Sequence, residues 1–325
     1  MRIFNQPPVR RLAIALASTL LIVAVARPGA DGPRPVAHAQ TGFSLRFYGT
    51  GRDDLDRVKI PLGPLDGSGR LTGSRPVNVG GDFTIEFWMK APAAANDAPA
   101  CEHGWYYGNI IVDRDVFGSN VGDYGVAICA GRIVFGVNNG GGETPPLVGN
   151  ATVTDNAWHH IAVTRSASSG QMRIFVDGQL DAAKGGPAGD IAYPIGRATS
   201  YLDSDPYLVF GAEKHDYSGS RYYTGWLDDV RISNTVRYSA SFVRPSAPHP
   251  ADGSTVALYR FDEGSGTTVG DSSGAPGGPS AGALRPRAGG AGQHWSSDTP
   301  FGAGAGPTPS ASPSASPSAS PSASP

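Results

Sequence analysis

The chain has 325 residues, of which 17% are charged, 45 are glycine and 28 are proline, and its formal net charge is −2. Without a basic cluster, it lacks the electrostatic footprint of a nucleic-acid-binding protein and the polybasic patch of a membrane-surface protein. Abundant glycine and the lack of a long helical apolar period favour many short strands joined by turns.

The first 39 residues are predicted to be a secretory signal peptide. Arg10 and Arg11 precede the uncharged apolar run LAIALASTLLIVAVA, and Ala37 and Ala39 supply the small residues of a cleavage site. The run is short for a transmembrane span, which needs about 20 apolar residues, and an uncleaved anchor is the alternative. The segment holds five basic side chains and one acidic one, so its removal changes the net charge from −2 to −6. We expect a secreted, extracellular or cell-envelope-associated protein without membrane insertion after cleavage.

Nine segments in the middle of the chain have the pattern of β-strands. Each is short, rich in β-branched or aromatic residues, and bounded by Gly, Asn, Asp or Pro. They cover residues 43–47, 83–90, 124–129, 132–137, 160–164, 172–176, 207–210, 226–232 and 256–261. Asp177-Gly178 predicts a tight hairpin turn, because glycine tolerates positive φ. Without interleaved helices, the pattern predicts an antiparallel sandwich or barrel.

Several segments in order resemble the LamG-like jelly-roll domain family, whose fold is that of the concanavalin A-like lectins and glucanases and of laminin G-like domains. They are FSLRFYGTGRDDLDRVKIP, GGDFTIEFWMK, AWHHIAVTRSASSGQMRIFVDGQLDA, YYTGWLDDVRISNTVRY, STVALYRFDEGSGTTVGDSSG and QHWSSDTPF. The resemblance implies an all-β fold, an antiparallel two-sheet jelly-roll sandwich in which the first and last strands are neighbours. The expected core comprises Phe47, Ile85, Phe87, Ile133, Phe135, Ile161, Val163, Ile174, Val176, Val230, Ile232 and Phe261.

The domain is expected to occupy residues 40–303. Residues 304–325 are rich in Ser, Ala and Pro, which offer little apolar surface to bury and keep the backbone extended. We interpret them as a disordered tail or linker.

Cys101 and Cys129 are the two cysteines of the chain. An even pair in an exported protein is most simply a disulfide. Two free thiols or a metal site are the alternatives, although a structural zinc requires four ligands. Closing this loop would stabilise the protein by about 3 to 4 kcal/mol on the chain-entropy estimate.

Asp56 and Asp228 are the candidate metal ligands. Each lies in an acidic stretch before a strand, and the first and last strands are neighbours in the fold that the chain resembles, so these distant carboxylates are expected to converge. Oxygen ligands of this kind suit Ca²⁺, and related domains often carry a structural calcium in this region. The chain departs from the family at Tyr48, where other members commonly have Asp. The alternative is that these carboxylates are solvated turn residues.

Trp105, Tyr106, Tyr107 and Tyr222 are the candidate ligand-binding residues. Exposed aromatic planes stack on the apolar faces of sugar rings, and Asp123 or Glu102 could accept hydrogen bonds from sugar hydroxyls. The alternative is that these aromatic side chains only pack their loops.

No motif indicates catalysis, and no catalytic residue is assigned. Glycosidases need two carboxyl groups, one with a raised pKa. Asp113 and Asp115 are the nearest pair, and Arg114 between them is expected to keep both pKa values low. His103, His215 and His249 show no metal-ligand spacing.

We therefore expect a secreted, non-catalytic recognition module whose partner is a glycan or an extracellular protein and not a nucleic acid. A glycan-cleaving enzyme and a purely structural spacer domain are the alternatives.

Overall fold

The computed structural model describes residues 42–118, 121–141 and 144–301. The predicted signal peptide at residues 1–39 and the predicted tail at residues 304–325 lie outside this part of the chain. Among the described residues, no helix has the length and apolar character to cross a membrane.

The described residues form seventeen strands and four short 3₁₀ turns. The strands are β1 (Ser44–Tyr48), β2 (Arg57–Pro61), β3 (Phe83–Pro92), β4 (Asn109–Arg114), β5 (Gly122–Cys129), β6 (Arg132–Asn139), β7 (Leu147–Thr152), β8 (Asp155–Arg165), β9 (Gln171–Val176), β10 (Gln179–Gly185), β11 (Tyr207–Phe210), β12 (Arg221–Tyr222), β13 (Thr224–Ser233), β14 (Thr255–Tyr259), β15 (Thr268–Val269), β16 (Gly282–Arg285) and β17 (Trp295–Ser296). The 3₁₀ turns are Arg52–Asp54, Ala93–Ala95, Trp105–Tyr107 and Ala291–Gln293.

The strands form two sheets, which we call sheet A and sheet B. Sheet A has the order β10-β9-β8-β3-β13-β1-β17, and β14 also pairs with β13. Sheet B has the order β15-β16-β2-β11-β4-β5-β6-β7, and the short strand β12 also pairs with β4. That β12–β4 pair is parallel, and the other strand pairs are antiparallel. The predicted antiparallel two-sheet sandwich is confirmed.

The core lies between the sheets and is built from alternate strand residues. On β3, for example, Phe83, Ile85 and Phe87 enter the core, while Thr84 and Glu86 face the other side of sheet A. All twelve residues that the sequence predicts for the core are buried. Full burial of such a side chain stabilises the fold by about 1.5–3 kcal/mol.

The two ends of the domain meet on sheet A. β1 pairs with β13 through Leu45 opposite Leu227, and β13 pairs with β14 through Val230 opposite Tyr259. β17 adds to the free edge of β1. The expectation that the first and last strands of the domain lie side by side is thus confirmed.

The predicted hairpin at Asp177-Gly178 joins β9 to β10. Val176 pairs with Gln179, and both turn residues have positive φ, 51° for Asp177 and 79° for Gly178. Two successive positive φ values match the right-handed twist of the flanking strands.

Residues 234–252, here called the covering segment, lie on the outer face of sheet A. Thr84 Oγ1 on β3 donates a hydrogen bond to Thr235 O at 2.7 Å, and Tyr238 Oη donates one to Glu86 Oε2 at 2.9 Å. Phe242 packs on Phe175, with 5.5 Å between ring centroids. Polar residues on this face are therefore buried, Glu86 completely.

A second, smaller apolar cluster lies on the outer face of sheet B. It consists of Cys101, Trp105, Ile110, Ala127, Cys129 and Val134. The loop between β3 and β4 supplies the first two of these residues. This cluster holds that loop against the centre of sheet B.

Candidate functional site

Cys101 and Cys129 form a disulfide, as predicted. It ties the loop after β3 to the end of β5. The 3₁₀ turn Trp105–Tyr107 follows in the same loop, and it contacts β4, β5 and β6. The bond therefore fixes the position of the aromatic turn on sheet B.

Trp105 anchors this turn and is fully buried. Its indole lies over Gly125 on β5 and Gly136 on β6, a directly opposed pair in the sheet. A Cβ atom at either glycine would overlap the indole ring. The two glycines thus create the recess that Trp105 fills.

Beside the turn lies a cleft of about 520 Å³, here called the aromatic groove. One wall carries Tyr106 and Tyr107, whose ring centroids are 4.7 Å apart, and another carries Phe117 and Tyr217, with centroids 6.3 Å apart. Tyr107 is 55% exposed and Phe117 is 44% exposed. The described lining residues are Tyr106, Tyr107, Asp115, Val116, Phe117, Gly118, Val121, Asp123, Asn138, Gly140, Tyr217 and Ser218.

The polar groups of the groove come from the ends of neighbouring strands in sheet B. Asp123 on β5 lies opposite Asn138 on β6, and Asn138 Nδ2 donates a hydrogen bond to Asp123 Oδ1 at 2.9 Å. Asp115 follows the last residue of β4. The groove thus combines aromatic faces with hydrogen-bond acceptors, as in small-molecule sites.

His215 lies behind Asp115 and holds it in place. His215 Nδ1 is 3.1 Å from Asp115 Oδ2 and 3.3 Å from Glu213 Oε1, and His215 Nε2 is 2.8 Å from Asp205 Oδ1. Burial lowers the pKa of His215, but the hydrogen bonds that His215 donates to Asp115, Asp205 and Glu213 outweigh it and raise the pKa to about 11. The imidazolium is therefore charged at neutral pH.

Two carboxyl groups in this part of sheet B have raised pKa values, Asp113 on β4 and Asp123 in the groove lining. Burial, followed by the charges of Asp115 and Glu213, raises the pKa of Asp113 to about 7. Burial and the charge of Asp115 also raise the pKa of Asp123 to about 7. Both groups are therefore costly to ionise in the absence of a further cation.

The expectation that Arg114 keeps the pKa values of its neighbours low is wrong for Asp113. Successive strand residues point to opposite faces, and the Arg114 guanidinium lies over the core residue Tyr124, 4.9 Å from its ring centroid. Burial and like charges consequently dominate the environment of Asp113.

Asp56 and Asp228 lie at different places along β1. The Asp56 carboxylate accepts hydrogen bonds from the Tyr48 and Thr50 backbone N–H groups, at 2.9 and 2.8 Å to Oδ2, beside the end of the strand. Asp228 follows Leu227, which pairs near the start of β1. The two carboxylates thus lie beside opposite ends of β1. Calcium binding at either position stays a prediction.

The four predicted aromatic residues have different positions. Tyr106 and Tyr107 line the aromatic groove, whereas Trp105 is buried and presents no face to solvent. Tyr222 lies outside the groove lining, in β12, and its hydroxyl donates a hydrogen bond to Asp216 Oδ1 at 3.1 Å. Of the two predicted acceptors, Asp123 lines the groove and Glu102 does not.

Sequence reasoning did not assign the opposite wall, Phe117 and Tyr217, or the histidine behind Asp115 to the site. Phe117 lies two residues after the Asp113-Arg114-Asp115 run, but His215 and Tyr217 are about a hundred residues away. Aromatic residues next to a Gly/Ser turn were the available signal.

Two groups of three side chains among the described residues have donor atoms close enough to hold a metal ion. One consists of Asp115, Glu213 and His215 at the groove. The other consists of Glu86 on β3, His160 on β8 and His249 on the covering segment, all three buried.

The family model for the laminin G type of the concanavalin A-like lectin/glucanases superfamily matches residues 66–241, more than half of the chain. The chain belongs to the concanavalin A-like lectin/glucanases superfamily. The LamG-like resemblance in the sequence is confirmed. For this superfamily member, the matched range contains every described residue that lines the aromatic groove.

Three solved structures with similar folds illustrate the comparison. A candidate carbohydrate binding protein from Bacteroides ovatus is 15% identical with a TM-score of 0.47, and the match covers 74% of this chain and 57% of that one. A heptameric SAP-like pentraxin from Limulus polyphemus is 13% identical with a TM-score of 0.40, and the match covers 61% of this chain and 78% of that one. Domains LG4-5 of the mouse laminin alpha1 chain are 13% identical with a TM-score of 0.38, and the match covers 64% of this chain and 47% of that one. This superfamily member thus spans little more than half the length of the Bacteroides protein. A search of curated protein sequences finds no match.

Proposed function

We propose that this chain is an exported, non-catalytic recognition module that binds a glycan in the aromatic groove. One observation carries the proposal: Tyr107 and Phe117, two large side chains that are about half exposed, line the same cleft. An exposed aromatic side chain does not gain the hydrophobic free energy that it would gain if its apolar surface were removed from water. Their placement is explained when a ligand covers them.

The chemistry of the groove fits a sugar better than a purely apolar ligand. Aromatic rings stack on the C–H faces of a sugar ring, and carboxylate and amide oxygens accept hydrogen bonds from its hydroxyl groups. Asp115, Asp123 and Asn138 supply these oxygens beside the rings. We therefore favour a glycan over an extracellular protein as the partner.

Export is part of the proposal and is supported by the disulfide. Structural disulfides persist in oxidising compartments outside the cytosol. Together with the predicted signal peptide, the bond between Cys101 and Cys129 supports an extracellular or cell-envelope location.

The test is a glycan-binding assay with the Tyr107→Ala variant. We expect the wild-type protein to bind at least one glycan on an array, and Tyr107→Ala to weaken that binding about tenfold, because loss of one stacking ring costs about 1 to 1.5 kcal/mol. Isothermal titration with the best glycan measures the change in affinity.

Ile195→Ala is the matched control, because Ile195 is 58% exposed and lies outside the groove lining. It should bind like the wild type. An array without any bound glycan would contradict the proposal and favour a structural spacer domain.

A glycan-cleaving enzyme is the second candidate. One observation favours it: Asp123, which lines the groove, has a pKa near 7, which is suited to a general acid. Incubation with polysaccharide panels and measurement of released reducing ends decides between the two. If the wild-type protein releases reducing ends and the Asp123→Asn variant does not, the protein is a glycan-cleaving enzyme and the proposal of a non-catalytic binding module is wrong.

A further inference from the structure

The charge of the aromatic groove indicates which glycans it accepts. Among its described lining residues, the charged side chains are Asp115 and Asp123, and no lysine, arginine or histidine accompanies them. A carboxylate or sulfate group of a ligand would meet carboxyl groups and no cationic side chain among these lining residues, so its charge would lose water without gaining a partner. Glycans with carboxylate or sulfate groups are therefore disfavoured.

The two acids differ in how they are neutralised. Asp115 is held by the imidazolium of His215 from behind, at 3.1 Å. Asp123 accepts a hydrogen bond from the neutral amide of Asn138 and shares another with Asp115, and none of the ion pairs among the described residues includes it. Asp123 is nevertheless 96% buried as a residue in the absence of ligand, with a relative exposure of only 4%. A buried carboxyl group without a cationic partner is costly to keep ionised.

The aromatic walls favour the same kind of ligand. The face of a Tyr or Phe ring attracts a cation within about 6 Å of its centroid. Tyr106, Tyr107, Phe117 and Tyr217 surround the space next to the acids. An ammonium group has three hydrogen-bond donors, and it can therefore bind a carboxylate while it lies against a ring.

We propose that the groove selects glycans that carry a free ammonium group, with Asp123 as its principal partner. The ligand class is an oligosaccharide of unacetylated amino sugars, whose hydroxyl groups and ring faces use the same walls. The inference rests on the proposed glycan-binding function and specifies the ligand of that site. The raised pKa of Asp123 is consistent with it, because a bound cation would favour the ionised carboxylate.

The test is isothermal titration of the mature protein at pH 6.5 with three oligosaccharides of equal length. These are a glucosamine oligomer with free amines, its fully N-acetylated counterpart, and a sialylated oligosaccharide. We expect the free amine to bind at least tenfold more tightly than the acetylated oligomer, and the sialylated one to bind weakest. Asp123→Asn should reduce the preference for the free amine to threefold or less.

Glu263→Gln is the matched control, because it removes one exposed carboxylate outside the groove and should keep the preference. A second measurement needs no variant: raising NaCl from 50 to 500 mM should reduce the preference several-fold, because salt screens the charge interaction.

Several outcomes would overturn the inference. Equal affinity for the free-amine and acetylated oligomers, or tightest binding of the sialylated one, would refute the charge selection and leave glycan binding intact. Binding that requires added Ca²⁺ and does not respond to acetylation would assign the acids to a metal ion instead. No binding of any oligosaccharide would refute the proposed function and this inference together.

Discussion

At the scale of single residues, Trp105 shows how two glycines position a binding wall. Its ring occupies the space left by Gly125 and Gly136, and the next two residues, Tyr106 and Tyr107, are thereby directed to the groove. The sequence marks all three aromatic residues as candidates for ligand stacking. It cannot tell the anchor from the contacts, because the recess is formed by residues of two other strands.

Gly136→Ala should displace the indole of Trp105. Overpacking of this kind costs about 1–3 kcal/mol, and the displaced turn should also weaken glycan binding. Urea denaturation and glycan titration measure both effects. Gly185→Ala is the control, because a Cβ at this β10 glycine meets no atom within 4 Å. A Gly136→Ala protein as stable as the control would show that Trp105 can move at no cost.

The two acidic residues of the groove, Asp115 and Asp123, were the least predictable part of the site. Asp123 is recognisable as a possible acceptor, since it directly precedes the predicted strand segment 124–129 and lies near the aromatic turn in sequence. The pairing of Asp115 with His215 is not, because it joins residues a hundred positions apart through the neighbouring strands β4 and β11. Local spacing carries no information on such a contact.

At the scale of secondary-structure elements, the covering segment turns the outer face of sheet A into a second buried layer. His249 on this segment lies 3.2 Å from Glu86 Oε2 and 2.7 Å from Asp229 Oδ2. Burial lowers the pKa of His249, but hydrogen bonds with Asp229 and Glu86 outweigh it and raise the pKa to about 9. The protonated imidazole therefore joins the segment to both β3 and β13.

This arrangement predicts a pH-dependent stability. Because the folded-state pKa of His249 exceeds the ordinary value of 6.5, its contribution is fully present below pH 6.5 and is lost as the pH rises through about 9. Between these values the contribution falls by about 1.4 kcal/mol for each pH unit. The wild-type protein should thus lose more stability between pH 6.5 and 9 than His249→Gln does.

Urea midpoints of both proteins at pH 6.5 and pH 9 measure this difference. His215 titrates in the same direction but is present in both proteins, so it does not contribute to the comparison. His103→Gln, which replaces an exposed histidine, should behave like the wild type. A constant stability gap between wild type and His249→Gln would show that His249 is not charged in the folded protein.

Prediction of strands from the sequence depended on alternation. The nine predicted segments alternate apolar and polar residues or have strong β-formers, and each overlaps a strand of the structure. β4 was not predicted, because it is buried along its whole length and shows no alternation. β10 follows from the predicted hairpin turn alone, because its mostly polar, partly exposed residues show no strand pattern of their own.

At the scale of the whole molecule, the chain closes through its last described residues. His294 O accepts a hydrogen bond from Arg46 N at 2.7 Å, and Trp295 enters the core beside β1. Asp298 pairs with Lys90 at 2.7 Å. The overall fold was predictable because alternation and turns are local signals and the family resemblance gives the strand order.

A chain truncated after Arg287 should therefore be less stable by about 3–5 kcal/mol, the cost of losing a buried tryptophan, or should not fold. A chain that ends at Phe301 keeps all of the described contacts and is the control. Thermal unfolding followed by circular dichroism compares the two. Equal midpoints would show that β17 is dispensable for closure.

Phe301 packs edge-on against Trp88, which lies on the outer face of sheet A, with 5.3 Å between ring centroids. The aromatic groove lies on the opposite layer, against sheet B. A tag or solid support joined beyond Phe301 would thus leave from the back of the sandwich. Immobilisation at that end should keep the aromatic groove accessible, whereas coupling through random surface amines would orient the molecules without preference.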